Sequence, residues 1–323
     1  ELRADDTMDV LYTSGSTGEP KGVEVHHGGV IDYCAFARNN YYSAHLEGSL
    51  VATSPAFDLT LPSLYVPLIT GGCVELLPEE DELEALSRWL SGDRAAVLLR
   101  LTPSHVQALL TLSDAAPRHS AHAFVIGGEA FEPGLARRLQ AKFPASRIYN
   151  HYGPTETVVG CSWFDVSANL NALDARIPIG RPMENSALYV VDPNGRLQPP
   201  GVPGELYIGG AGVATGYLDR PEVTAEKFVS FHGTRVYRSG DRVRWNAGGD
   251  LEVLGRVDRQ VKLRGFRIEP GEIESRLRRS AHVREAAVRV WDEQLVAYVT
   301  GESAQQHAVH EQLASHLPSY MLP

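Results

Sequence analysis

The chain has 323 residues, 43% of them hydrophobic and 22% charged, and a formal net charge of −10. That length corresponds to about two domains, and the composition excludes a disordered, fibrous or disulfide-scaffold protein. The acidic bulk speaks against nonspecific nucleic-acid binding; it lies in residues 1–255, with 20 basic and 31 acidic side chains against 10 and 9 in 256–323. The longest apolar stretch without a charge, Leu59 to Val74, has 16 residues interrupted by Pro62, Pro67, Gly71 and Gly72, short of the roughly 20 needed to span a bilayer. Cys34, Cys73 and Cys161 have no CxxC spacing and read as reduced thiols, so a cytoplasmic protein is expected. Glu1 is preceded by no initiator Met or leader, which reads as a piece of something longer.

In chain order, the strand-like Asp9–Leu11 leads into Tyr12-Thr13-Ser14-Gly15-Ser16-Thr17-Gly18-Glu19-Pro20-Lys21-Gly22. Glycines let successive N–H groups converge, hydroxyls add donors and Lys21 adds a charge, a chemistry suited to cradling a polyphosphate. It is not a Walker A loop, because Pro20 precedes Lys21 and Gly22 follows it. A flexible surface loop is the plainer alternative.

Asp58 precedes an apolar helix-like run, and local sequence favours a helix N-cap there. From Leu50 to Asn150, strand-length runs (Leu50–Thr53, Cys73–Leu76, Ala95–Leu99, Ala123–Ile126, Ile148–Asn150) alternate with helix-like segments (Asp81–Ser91, Pro103–Leu112, Pro133–Phe143). This pattern predicts βα units on a largely parallel sheet. Within it Arg100 is the odd residue. An unpaired buried guanidinium is costly, so Arg100 is expected to snorkel to water at the strand end or to meet an anion. Asn150-His151-Tyr152-Gly153-Pro154-Thr155-Glu156 falls at a strand end, where open α/β sheets place ligands. Asn150 suits a base edge, Tyr152 stacking and Glu156 a hard cation such as Mg²⁺; the alternative is a turn with Thr155 as a cap.

After about Ile177, short strand-like segments (Ala187–Val191, Glu205–Ile208, Val236–Arg238, Leu251–Leu254) punctuated by Pro and Gly predict a compact β subdomain. Asp241 suits two ribose hydroxyls or a turn cap, and Asp258 a hinge or one more solvated charge. Residues 256–323 read as a small α/β unit: strand Val261–Leu263, a turn at Gly265, a helix Gly271–Arg279 opened by Pro270, two further strands (Ala286–Val290, Leu295–Val299) and a helix near His307–His316. The expected division is 1–177, 178–257 and 258–323.

Taken in order, these blocks resemble the core motifs of nonribosomal peptide synthetase adenylation domains, within the adenylate-forming superfamily that includes acyl-CoA ligases and luciferases. The resemblance also takes in Gly204-Glu205-Leu206-Tyr207-Ile208-Gly209-Gly210-Ala211-Gly212-Val213-Ala214-Thr215-Gly216-Tyr217-Leu218, Tyr237–Asp241, Gly255–Glu274 and Leu317–Pro323. It implies an α/β acyl-adenylate-forming fold: a large core with a parallel sheet, a β-barrel-like subdomain and a small mobile C-terminal subdomain. The family's first motifs and its last lysine motif are absent from this stretch. Most ligand contacts but not full activity are therefore expected of it, and Val253 stands where an aromatic is common.

The implied activity is ATP-dependent activation of an amino acid, followed by capture on the phosphopantetheine thiol of a peptidyl carrier domain, with a condensation domain as neighbour and neither nucleic acid nor membrane as partner. Residue by residue, the resemblance assigns the phosphates to Thr13, Ser14, Thr17 and Lys21, and Mg²⁺ to Glu156. The nucleotide falls to Gly128, Asn150, Tyr152, Gly153, Thr155, Asp241 and Arg256, and the hinge and thiolation roles to Asp258, Lys262 and Gly265. Asp58 is expected to pair with the substrate's α-ammonium. The rest of the amino-acid pocket falls on Leu59, Pro62, Arg100, Val125, Gly127, His151, Val159 and Gly160.

Arg100 and His151 are the two positions able to carry positive charge, and no second acid is among them. An acidic substrate side chain would neutralise Arg100, whereas an amide would leave a buried charge unpaired at about 3–5 kcal/mol. Aspartate or a β-substituted aspartate is the predicted substrate, with glutamate the near rival. The rival functions are a carboxylic acid:CoA ligase of the same superfamily and a noncatalytic nucleotide-binding module.

Overall fold

A computed structural model of the chain describes residues 1–15, 19–78, 80–92, 94–112, 121–173, 175–301 and 306–323. It divides into two units, Glu1–Leu11 with Val23–Val257, and Tyr12–Gly22 with Asp258–Pro323.

The chain opens with β1 (Thr7–Thr13), β2 (Lys21–His26) and α1 (His27–Asn40). The His26 side chain accepts the Gly29 N–H at 3.0 Å and so caps α1. Then follow β3 (Gly48–Val51), a 3₁₀ turn at Asp58–Thr60, α2 (Leu61–Thr70), β4 (Cys73–Leu76), α3 (Glu82–Leu90), β5 (Val97–Leu101), α4 (Pro103–Leu112) and β6 (Ala123–Gly127). After these come α5 (Pro133–Lys142), β7 (Arg147–Tyr152), β8 (Ser162–Asp165), α6 (Val166–Asn169) and β9 (Arg181–Pro182). The seven-stranded sheet runs β4-β3-β5-β6-β7-β8-β9. Its first five strands are parallel, as the βα alternation predicts, and β8 and β9 are antiparallel additions.

Alternation along the strands gives the sheet two apolar faces. Leu98, Val125 and Tyr149 pack with Val30, Tyr33 and Ala37 of α1 and Val66 of α2. Leu99, Leu101, Phe124, Ile126 and Ile148 pack on the opposite face with Leu86, Val106, Leu109, Ala136 and Leu139 of α3, α4 and α5.

The remainder of this unit is β-rich: β10 (Ser186–Val191), β11 (Gly204–Gly210), β12 (Gly216–Tyr217), α7 (Pro221–Lys227), β13 (Phe228–Phe231), β14 (Thr234–Trp245) and β15 (Leu251–Arg256). A five-stranded sheet runs β10-β11-β14-β13 with β15 also on β14, while β12 joins β1 and β2.

The second unit contains β16 (Val261–Leu263), β17 (Phe266–Ile268), α8 (Pro270–Arg278), β18 (Glu285–Trp291), β19 (Gln294–Thr300) and α9 (Gln306–Ala314). Its own core includes Ile268, Ile273, Leu277, Val288, Leu295, Val309 and Leu313. No helix among the described residues is long and apolar enough to cross a membrane, and the three cysteines are free thiols.

Candidate functional site

The register of the parallel strands sets Arg100 beside Val125 and Gly127 beside His151, at the carboxyl ends of β5, β6 and β7. Arg100 is only 3% exposed. Its Nη1 donates to the Val125 carbonyl at 3.0 Å and its Nη2 to His151 Nδ1 at 2.7 Å, while Nε has no hydrogen-bond partner among the described residues. A guanidinium only donates, so Nδ1 is the bare nitrogen and Nε2 carries the proton, donated to the Tyr33 oxygen at 3.0 Å.

Two expectations are corrected here. Arg100 does not snorkel to water; it is buried against a carbonyl and a ring, within the field of the Asp58 carboxyl. His151, 2% exposed, is not a second cation, because burial and the adjacent Arg100 charge hold its basicity well below the ordinary imidazole range.

Space for this pair comes from two glycines. A Cβ at Gly127 would lie 3.0 Å from both terminal nitrogens of Arg100, and one at Gly160 would lie 2.1 Å from His151 Nε2.

Asp58 begins the 3₁₀ turn and does not cap it: the cap position is Phe57, without a side-chain bond. Burial raises the Asp58 carboxyl, with a hydrogen bond from the Thr155 hydroxyl and the Arg100 charge pulling the other way and Glu156 adding to the rise. Thr155 is therefore a partner of Asp58, and the cap position of its own turn is Pro154. Leu59 shares the Asp58 turn, and Pro62 is buried in the first turn of α2.

Glu156 is 0% exposed and accepts the Tyr217 hydroxyl at 2.6 Å. Directly after it, Val158 (φ 52°) and Val159 (φ 63°) both occupy the left-handed region, which is strained for β-branched residues. The strain lies in the chain between Glu156 and Gly160.

Among the residues expected to hold nucleotide, the Asn150 amide donates to the Pro178 carbonyl at 2.8 Å. The Asp241 carboxylate takes the Tyr152 hydroxyl on one oxygen and Arg256 Nη1, at 2.9 Å, on the other. β14 and β15 pair Asp241 directly with Arg256. Gly128 follows β6 at φ 89°, and Gly153 follows β7.

The second unit holds the hydroxyl-rich loop and the residues after Val257. Ser14 Oγ donates to the Arg267 carbonyl at 2.8 Å, and the Gly15 N–H to the buried Glu272 carboxylate at 3.1 Å. Thr13 Oγ1 has no partner among the described residues, Lys21 is buried, and Thr17 lies outside the described residues. Asp258 accepts the Gln260 N–H at 3.2 Å, Lys262 is exposed on β16, and Gly265 forms the β16–β17 turn.

The sequence reading gave no role to Tyr33, Tyr217 or Glu272. Val30, Tyr33, Cys34 and Ala37, at helical spacing i, i+3, i+4, i+7, are the signal that marks α1 and its buried face.

The model of the family of AMP-binding enzymes matches residues 1–218, and the chain belongs to that family. Within it, the kinship is with the adenylation domains of nonribosomal peptide synthetases. Bacitracin synthase 3 of Bacillus licheniformis is 41% identical over 330 residues, covering 99% of this chain, which spans 5% of that relative's length. The adenylation domain AlmE of Vibrio cholerae, solved in complex with glycyl-adenosine-5′-phosphate, superposes with a TM-score of 0.88 at 26% identity, over 99% of this chain and 63% of that one. An artificially fused adenylation–PCP di-domain, NpsA-ThdA of Klebsiella oxytoca, gives 0.82 at 28% identity, over 100% and 65%. The architecture is the acyl-adenylate-forming fold.

Proposed function

We propose that this chain carries an amino-acid-activating site of a nonribosomal peptide synthetase and that the amino acid is L-aspartate or a β-substituted aspartate. In the first step the substrate α-carboxylate attacks the α-phosphorus of ATP, the bond to the bridging oxygen breaks and pyrophosphate leaves. In the second, the thiol of a carrier domain's phosphopantetheine attacks the acyl carbon, losing its proton, and AMP departs. Catalysis of such transfers rests on positioning and on neutralising spread negative charge.

Thr13, Ser14, Thr17 and Lys21 are the proposed phosphate holders, and the unpartnered Thr13 hydroxyl fits that task. The paired Asp241 and Arg256 fit a ribose, with Gly128, Asn150, Tyr152, Gly153 and Thr155 around the nucleotide. Glu156 suits Mg²⁺, a hard cation that takes few protein carboxylates and completes its shell with phosphate oxygens and water. Bound there, the ion would neutralise phosphate charge. Asp258, Lys262 and Gly265 are the proposed hinge and thiolation residues, within working subdomains of 1–177, 178–257 and 258–323. A condensation domain is a proposed neighbour, and the cytoplasm, where ATP is made available, the proposed compartment.

The observation that carries the substrate assignment is Arg100, a buried guanidinium that donates to a carbonyl and a neutral ring. With His151 uncharged, Arg100 is the one cation of the pair; it feels the Asp58 charge, and a single side-chain carboxylate is its proposed ligand. Asp58 supplies the countercharge for the α-ammonium. The test is amino-acid-dependent pyrophosphate exchange by the full-length protein: stimulation by aspartate above glutamate and asparagine is expected. No stimulation by any amino acid would remove the activity, and a preference for asparagine would remove the charge assignment.

A further inference from the structure

We propose that Tyr33 of α1 is a positioning residue for substrate selection, which it serves by fixing the ring of His151 and, through that ring, the guanidinium of Arg100. The proposal rests on the reading of Arg100 as part of the amino-acid pocket.

Tyr33 is 4% exposed, and its ring stands edge-on to His151 with centroids 5.6 Å apart and an interplanar angle of 88°. Its oxygen lies 3.0 Å from Nε2, and Arg100 Nη2 lies 2.7 Å from Nδ1 of the same ring. Arginine has no acceptor, so the proton order along this line is determined: Arg100 donates to Nδ1, and Nε2–H donates to Tyr33. The His151 backbone is already held in β7, between β6 and β8. The orientation of its ring has two polar anchors, Arg100 and Tyr33. Gly160 closes against the Nε2 edge, which leaves no room for a wider acceptor from that side.

Removing the Tyr33 hydroxyl therefore leaves a buried N–H without its acceptor. The ring then gains by turning away, and Arg100 Nη2 loses its partner. Because Tyr33 acts through two other residues, its contribution is felt where the amino-acid side chain binds, away from the reacting carboxylate.

The experiment compares Tyr33→Phe, Arg100→Met and the double variant in the full-length protein, by pyrophosphate exchange with aspartate, alongside thermal melting. Tyr33→Phe is expected to raise the aspartate KM about tenfold while leaving kcat and the KM for ATP within about twofold. In the Arg100→Met background the same change should alter the aspartate KM by less than about twofold, the non-additivity expected of residues in one chain of contacts. An equal factor in both backgrounds, or a parallel loss in kcat and ATP binding, would overturn the positioning role. If Arg100→Met raises the aspartate KM and Tyr33→Phe does not, the inference fails and the pocket reading stands. If Arg100→Met itself leaves the aspartate KM unchanged, both fail.

Discussion

At Gly160 a methyl group would fall 2.1 Å from His151 Nε2, so Gly160→Ala must move the imidazole or the strand end that carries it. Overpacking of this kind costs about 1–3 kcal/mol, and urea unfolding should show a lower midpoint with an unchanged slope. Asp58→Asn should go the other way. Burial raises the Asp58 carboxyl, so its folded-state contribution is favourable below the unfolded carboxylate value of about 3.9 and is lost as pH rises through the folded value. The amide escapes that penalty. The expected result is a melting temperature at neutral pH equal to or above the parent's, with amino-acid-dependent pyrophosphate exchange reduced at least about a hundredfold in kcat/KM, as for a broken charge-assisted contact.

His151 carries the opposite sign. Its ring is faced by Arg100, Tyr33 and Tyr41 and is held neutral in the folded state, so the unfolded chain binds the extra proton. Stability should fall as pH drops below the unfolded imidazole value of about 6.5. Arg100→Met should shrink that loss, because one of the two causes of the depressed basicity is gone; melting curves from pH 7 to 5 measure it. Asp58 and Arg100 were visible in the sequence as charges in apolar company. The neutrality of His151 was not, because it depends on a contact between residues 51 positions apart.

Among the elements, the parallel strands were legible as short apolar runs, buried on both faces of the sheet, and α3, α4, α5 and α8 as the helix-like segments between or after them, with Pro marking three of the helix starts. α1 was not, since Gly28 and Gly29 in its first turn look like a loop until the His26 cap is seen. β8 and β9 were missed for a different reason: they are only four and two residues long, and they join the sheet antiparallel, β8 on β7 and β9 on β8, outside the βα alternation.

The β16–β17 hairpin turns through Arg264 (φ 51°) and Gly265 (φ 83°), the two left-handed positions of a type I′ turn, for which Asn-Gly is the favoured pair. Arg264→Asn should stabilise the hairpin by about 0.5–1 kcal/mol, read as slower amide exchange in β16 and β17.

For the molecule as a whole, the separate core of Ile268, Ile273, Leu277 and Val288 predicts that residues 258–323 unfold as their own cooperative unit. Hydrogen exchange should give protected amides of α8 and β18 a common opening free energy, distinct from that of β5, β6 and β7. One shared value across both sets would contradict it. The composition break after Gly255 anticipated a change of character at this point of the chain. The inclusion of Tyr12–Gly22 with residues 258–323 had no sequence signal, because it arises from contacts such as Ser14 with Arg267 and Gly15 with Glu272. The two-faced sheet has a further consequence. Arg100, Val125, Gly127 and His151 alternate along their strands with Leu99, Leu101, Phe124 and Ile126, which belong wholly to the opposite core. On the proposed pocket, mutations that recode substrate choice would draw on one side of the sheet while the other side keeps the strands in place. A protein built in this way would change its diet by point mutation without first acquiring spare stability on the far face.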